Sequence, residues 1–248
     1  MRRKPLIGLN MDFGKVESKG YVAELPAGYF DCLIRAQAVP VAIPPLVHRR
    51  DIEQALDAVD GFVLIGGDDL DPLRDGCYHH PTTRVMHPRR EDFDRLLVKL
   101  IAERHMPVLG IGAGMQLLNV SQGGTLSLNI RDDFSNAMDH RDPHDPYHRH
   151  GLVVSPKTFA KRVYGDGEIR VASRHHMAVL DLAPIFKVSA VAPDGIIEVI
   201  ESQDPDWFAI GVQYHPECEA ASALDLRVFE EFVAEVVRRQ SAMQRAVA

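Results

Sequence analysis

The stretch that most constrains this chain is residues 106–126, MPVLGIGAGMQLLNVSQGGTL. Residues 107–111 form a short apolar run between a proline and a glycine-rich turn, which predicts a buried strand. Gly110, Gly112 and Gly114 alternate through that turn, and residues 115–120 have the apolar content of a helix packing back onto a sheet. A strand, a sharp turn with glycines around one central position, and a helix together make a nucleophile elbow. In such a turn the central side chain is lifted into a pocket, beside the N–H groups that open the helix. Here the central residue is Gly112, which has no side chain. The elbow is predicted and its nucleophile is not.

The rest of the chain supplies the sheet and helices that such an elbow needs. Strands are predicted at 6–10, 39–44 and 61–65. A helix is predicted at 26–38, where Tyr29, Phe30, Leu33 and Ile34 recur at helical spacing and Pro26 suits a first turn. Asp51 is a candidate cap for a helix running to 59, and 72–90 reads as a loop rich in Pro, His and Arg. Residues 91–105 carry one apolar stripe (Phe93, Leu96, Leu97, Leu100, Ile101) with acids at the start, as an amphipathic helix requires. Beyond Gly123-Gly124, the Asp-, His- and Pro-dense segment 131–151 predicts an irregular loop. Short strands are expected at 152–155 and 169–172. A hairpin should pair 187–191 with 195–200 about Pro193-Asp194-Gly195. A last core strand, 207–213, and an amphipathic helix, 222–239, close the chain. The pattern predicts an α/β fold: a flavodoxin-like open, mainly parallel central sheet with helices on both faces and antiparallel additions, in one domain over 1–248.

Composition removes several classes of function. A chain of 248 residues can bury a sizeable core. Its net charge of −7, with no stripe of Lys and Arg, excludes a nucleic-acid footprint. No apolar run is long enough to span a membrane, and the run 6–11 is interrupted by Asn10, so it fails as a secretory core. Three widely spaced cysteines, Cys32, Cys77 and Cys218, suit a reducing cytoplasm better than a disulfide framework.

Two glycine clusters, Gly66-Gly67 and Gly110 to Gly114, each end an apolar strand. Ligands of open α/β sheets bind beyond the carboxyl ends of the strands. Backbone N–H groups from two such turns can converge on one developing oxyanion. His215 ends the last core strand, two residues before Glu217, a spacing that lets a carboxylate orient an imidazole. Alone, each of these is more simply a turn glycine or a hydrogen-bonded histidine; their pairing is what points to a site.

The motifs Gly110-Ile111-x-x-Gly114-x-Gln116, Gly123-Gly124-Thr125-Leu126 and Gln213-Tyr214-His215-Pro216-Glu217 resemble the class I glutamine amidotransferase-like superfamily. Gly66-Gly67-x-Asp69-x-Asp71-Pro72, Gln116-x-x-Asn119-Val120, Ser173-x-His175-His176 and Pro193-Asp194-Gly195-x-x-Glu198 narrow the resemblance to its γ-glutamyl-γ-aminobutyrate hydrolase branch, peptidase family C26, in register from about residue 5 to 217. The resemblance implies a cysteine at the elbow that forms a thioester with a γ-glutamyl carbonyl. It implies His215 as base, Glu217 as its orienter, and the N–H groups of Gly67 and Ala113 as the oxyanion hole. It also implies Gln116, Ser173, His175 and His176 near the γ-glutamyl pocket, a small-molecule ligand, and no cofactor, and it leaves a homodimer open. The chain departs from the pattern where Gly112 takes the cysteine position, where Ala113 replaces a larger side chain, and where Ala172 and Met177 replace Asn and Gln around Ser173-Arg174-His175-His176. The expectation is a γ-glutamyl hydrolase-like protein without thioester chemistry, or a non-catalytic binder of a γ-glutamyl or amino-acid-like ligand.

Substitute chemistries are weaker expectations. Cys218 lies beyond Pro216 and Ser121 two turns along the elbow helix, so neither suits the role of the missing thiol. A water activated by His215 would give slow hydrolysis. His144, His148 and His150, with Asp142 or Asp145, have spacing open to a metal, although solvated loop histidines are the simpler reading and no metal is expected.

Overall fold

The computed structural model describes residues 3–247. The elements follow in the order β1 (Leu6–Asn10), β2 (Asp12–Val16), β3 (Gly20–Glu24), α1 (Ala27–Arg35), β4 (Val39–Ile43), α2 (Arg49–Asp57), β5 (Gly61–Leu64), a 3-10 turn (Pro72–Asp75) and α3 (Pro88–Glu103). The second half continues with β6 (Val108–Ile111), α4 (Ala113–Ser121), β7 (Leu126–Ser127), α5 (Ile130–Asp133), β8 (Arg149–Val154), α6 (Phe159–Tyr164), β9 (Ile169–Ala172), β10 (Ala178–Val179), β11 (Phe186–Val191), β12 (Ile197–Ser202), β13 (Ala209–Val212) and α7 (Leu226–Val247).

The strands order as β4-β1-β5-β6-β13-β12-β11-β8-β9. The first five pair in parallel and the last four are joined antiparallel. Counted along the chain, the parallel half runs 2-1-3-4-5, the flavodoxin-like order. Side chains alternate across each strand, so one strand feeds two cores. Phe62 and Leu64 of β5 pack with Ile52 of α2, Phe93 and Leu97 of α3 and Leu118 of α4. Val63 and the adjacent Ile65 pack with Leu33 of α1, Phe159 of α6 and Phe229 and Phe232 of α7. Helices therefore cover both faces, which is why these strands are continuous apolar runs.

Several local expectations change. Residues 11–25, unassigned from sequence, form the β2–β3 hairpin, whose alternation is too polar to announce a buried strand. Helix α3 starts at Pro88, with His87 Nδ1 accepting from the Arg89 N–H, so Arg90 lies on a helix and not in a loop. Asp51 does not cap α2 but sits in its first turn, where its charge suits the dipole. The segment 156–168 holds a short helix, α6, capped by Thr158, and 131–151 is not wholly irregular: it contains α5 and the start of β8. Helix α7 begins at Leu226, so Leu224 precedes it and is exposed. Among the described residues no helix is long and apolar enough to cross a membrane.

Candidate active site

Strand register sets the site. Leu64 of β5 and Gly211 of β13 both lie beside Gly110 of β6, and Val212 lies beside Ile111. Gly66, Gly112 and His215 therefore emerge at the same edge, the carboxyl end of the parallel strands. Gly112 extends the ladder through its N–H to Val212 O at 2.9 Å, then turns with φ 56° and ψ −115° into the first turn of α4. A Cβ built there would lie 3.4 Å from His215 Cε1, 3.8 Å from His215 Nε2 and 3.7 Å from Gly66 Cα. These are ordinary contact distances. A side chain at 112 would enter the cavity against the imidazole, and glycine is suited to this position by its backbone angle rather than by lack of room.

His215 is positioned twice. Its N–H donates to Ala172 O at 2.9 Å, and its Nδ1 meets Glu217 Oε1 at 2.8 Å. A carboxylate only accepts, so in the neutral ring Nδ1 carries the proton and Nε2 is left as the free base toward position 112. Burial opposes a charge on the ring, but the Glu217 carboxylate, by its charge and its hydrogen bond, outweighs it and holds the His215 pKa above its ordinary 6.5. A pKa raised in the folded state adds stability below the unfolded value and loses it as pH rises through the folded one. The stability difference between wild type and Glu217→Gln is therefore expected to be present at pH 6 and to fade as pH rises above 6.5 through the raised folded-state pKa. Denaturant titrations across that range check this, and a difference that grows with pH contradicts it.

The Gly66-Gly67 turn is held by a residue that sequence reasoning missed. Arg90 is fully buried, and its Nη2 donates to Gly66 O at 2.7 Å and its Nη1 to Asp12 Oδ1 at 2.8 Å, while Nε meets Asp94 Oδ2 at 3.2 Å. A Cβ on Gly67, whose φ is +156°, would fall 2.1 Å from Arg90 Nη1, so only glycine lets the guanidinium lie against this turn. Burial pushes the Asp94 pKa up to about 6 despite the adjacent Arg90 charge. Asn10 completes the frame, donating to Asp94 Oδ1 at 2.9 Å and accepting from the Ile65 N–H at 2.8 Å. Tyr29 Oη accepts from the Gly66 N–H at 3.0 Å.

These groups open onto a cavity of about 440 Å³, whose lining includes Gly67, Gly112, Ala113, Gln116, His176 and His215. Gln116 Nε2 donates to Gln213 Oε1 at 3.2 Å, and His176 Nε2 meets the Asp69 carboxylate at 3.1 Å. His175 reaches the wall, but its ring is engaged by Met177 O at 2.8 Å and Glu198 Oε1 at 3.2 Å. Ser173 does not line the cavity; its buried hydroxyl donates to His140 O at 2.6 Å. Asp68, Asp69, Asp142 and Asp145 share the walls with Arg84, Arg141 and Arg174, so both signs of charge are present.

The histidines spaced 144, 148 and 150 do not converge. His144 is exposed, His148 Nε2 binds Asp139 O at 2.7 Å, and His150, on β8, is buried beside His140, His175 and Glu198. That grouping draws on two strands and two loops, which no linear spacing announces. Cys218 and Ser121 stay out of the cavity lining, and the Ser121 hydroxyl is turned to Leu118 O at 2.9 Å.

Comparison with known proteins agrees with this fold. The peptidase C26 family model matches residues 5–217. A Mycobacterium tuberculosis protein provisionally named a glutamine amidotransferase is 34% identical over 237 residues, covering 93% of this chain and 74% of its own. The γ-glutamyl-γ-aminobutyrate hydrolase of Escherichia coli O157:H7 is 28% identical over 240 residues, with 92% of each chain covered. The crystal structure of a glutamine amidotransferase from Thermotoga maritima superposes with a TM-score of 0.58 at 14% identity, over 97% of this chain and 86% of that one, and shows the shared fold. The matched span begins just before β1 and ends on Glu217, so it takes in every strand of the sheet and both glycine-ended turns: the chain belongs to the peptidase C26 family of glutamine amidotransferase-like proteins.

Proposed function

We propose that this protein binds a γ-glutamyl or similar amino-acid-like ligand in the strand-end cavity and does not carry out the thioester hydrolysis its family resemblance implies. The observation that carries this reading is position 112. The backbone there aims a Cβ at the His215 imidazole, 3.4 Å away, and glycine supplies no atom to attack a carbonyl. The surrounding groups retain their chemistry. His215 Nε2 is a base with Glu217 behind it. The N–H groups of Gly67 and Ala113, at a strand-end turn and at the first position of α4, are suited to a carbonyl oxygen that carries partial negative charge. Walls bearing both Arg and Asp side chains suit a ligand with an ammonium and a carboxylate. Without a covalent step, these groups hold and orient a ligand.

Calorimetry with a γ-glutamyl amide, run beside a chromogenic γ-glutamyl anilide assay, tests the proposal. Saturable binding with no turnover above that of His215→Ala is expected. Turnover that His215→Ala abolishes would overturn it in favour of a water directed by the same histidine.

A further inference from the structure

Behind the cavity wall, four side chains from two strands and two loops bring their donor atoms together. His140 follows α5, His150 is on β8, His175 follows β9, and Glu198 is on β12. All four are buried, with exposures of 3%, 2%, 7% and 0%. Glu198 Oε1 lies 3.2 Å from His140 Nδ1, 3.2 Å from His175 Nε2 and 3.4 Å from His150 Nε2. His140 Nδ1 and His175 Nε2 are 3.2 Å apart, and the whole set lies within 4.8 Å.

The other nitrogen of each ring fixes what these inward atoms are. His150 Nδ1 meets Gly151 O at 2.9 Å and His175 Nδ1 meets Met177 O at 2.8 Å. Carbonyls only accept, so both Nδ1 atoms carry the ring proton. His140 Nε2 meets Asp194 Oδ2 at 2.9 Å, and that carboxylate also accepts the N–H groups of Met138 and Ile196, so it too acts as an acceptor. In the neutral rings, His140 Nδ1, His150 Nε2 and His175 Nε2 are then bare lone pairs. They face a fourth lone pair on Glu198, and without a metal only protonation of a ring puts a hydrogen among them. His150 Nε2 and Glu198 Oε2 have no hydrogen-bond partner. Buried polar atoms left this way are costly, and lone pairs facing one another add repulsion.

We propose that His140, His150, His175 and Glu198 form a binding site for a divalent transition-metal ion, Zn²⁺ best matching the donors. Tetrahedral zinc with ligands at 2.0–2.1 Å separates its donors by about 3.3 Å; four of the six separations among the donor atoms are 3.2–3.4 Å, and the two between His150 Nε2 and the other imidazoles lie within 4.8 Å. Three imidazoles and a carboxylate are donors zinc accepts, and a carbonyl or carboxylate behind each ring is the usual outer support of a metal-bound histidine. Four buried protein ligands leave no open position, which makes this a structural site. A cavity of about 650 Å³, lined in part by His140 and His175, gives a path for entry.

The ion would pin the segment around His140 to the antiparallel half of the sheet. Arg141, Asp142 and Pro143 of that segment form part of the wall of the strand-end cavity. Metal binding would thus set the shape of the ligand site without touching the chemistry at Gly112, and the inference stands apart from the proposed function.

The test uses the full chain, freed of any histidine tag and stripped with chelator. Titration with Zn²⁺ should reach one equivalent per chain and raise the thermal midpoint by roughly 5–10 °C at a hundredfold excess over Kd. Co²⁺ should give the intense visible absorption of a tetrahedral site, and this reading needs no variant. Glu198→Gln and His150→Ala should lose the tight equivalent, while the loop variant His144→Ala/His148→Ala should keep it. A stripped wild-type chain that takes up no tight equivalent and gives no tetrahedral Co²⁺ spectrum would overturn the site. Uptake abolished by the loop variant instead would overturn it equally.

Discussion

Arg90→Met is expected to destabilise the protein by about 3–5 kcal/mol, the loss found when one member of a buried ion pair is removed and the other stays. The guanidinium is fully buried and answers Asp94, which is almost as deeply buried, together with Asp12 and the Gly66 carbonyl. Methionine fills similar volume but leaves Asp94 with Asn10 as its remaining side-chain donor. The Asp94 pKa, already near 6 because burial outweighs the adjacent charge, then rises further. An acid whose pKa is raised by folding costs stability when ionised and returns it as pH falls. The loss should therefore be larger at pH 8 than at pH 5. Denaturant unfolding of both proteins at the two pH values measures this, and a loss below 1 kcal/mol at pH 8 would show that Arg90 does not organise the Gly66-Gly67 turn.

Gly112→Cys is expected to lower stability by about 1–3 kcal/mol, the usual cost of holding a residue with a side chain in a sparsely populated backbone region. The neighbours do not add to that cost, since the nearest contact of a new Cβ is 3.4 Å. Glycine gives the unfolded chain more freedom to lose, which offsets part of the difference. A variant as stable as wild type would mean that φ 56° is not imposed on this turn. Chemical denaturation decides it.

The elbow, the parallel strands and the His215-Glu217 turn are legible in the sequence because each is local. An apolar run ending in glycines states where a strand stops, and a two-residue spacing states which carboxylate can reach the imidazole. Arg90 is not legible for the opposite reason. Its role depends on α3 beginning at Pro88, three residues before the apolar stripe suggests, and on its partners lying at Asp12 and Gly66. The hairpin 12–24 and the six-residue α6 are short and carry little periodicity, so tertiary packing decides them. The histidine grouping shows the same limit most plainly. Chain proximity favours 144, 148 and 150 as a set, whereas the β8 register buries His150 among residues from distant elements. Ser173 is a smaller instance: its place in the motif leads to the cavity, but its hydroxyl serves the His140 carbonyl.

The central claim is that the site keeps its base and its elbow but lacks a nucleophile. Intact-mass analysis after treatment with a glutamine-analogue chloroketone tests it most directly, with wild type and Gly112→Cys measured side by side. Wild type should show no adduct in the cavity. Gly112→Cys should gain a single adduct at position 112, and that adduct should slow markedly when His215→Ala is added. A stoichiometric adduct on the wild-type chain, at Cys218 or at any residue lining the cavity, would contradict the account.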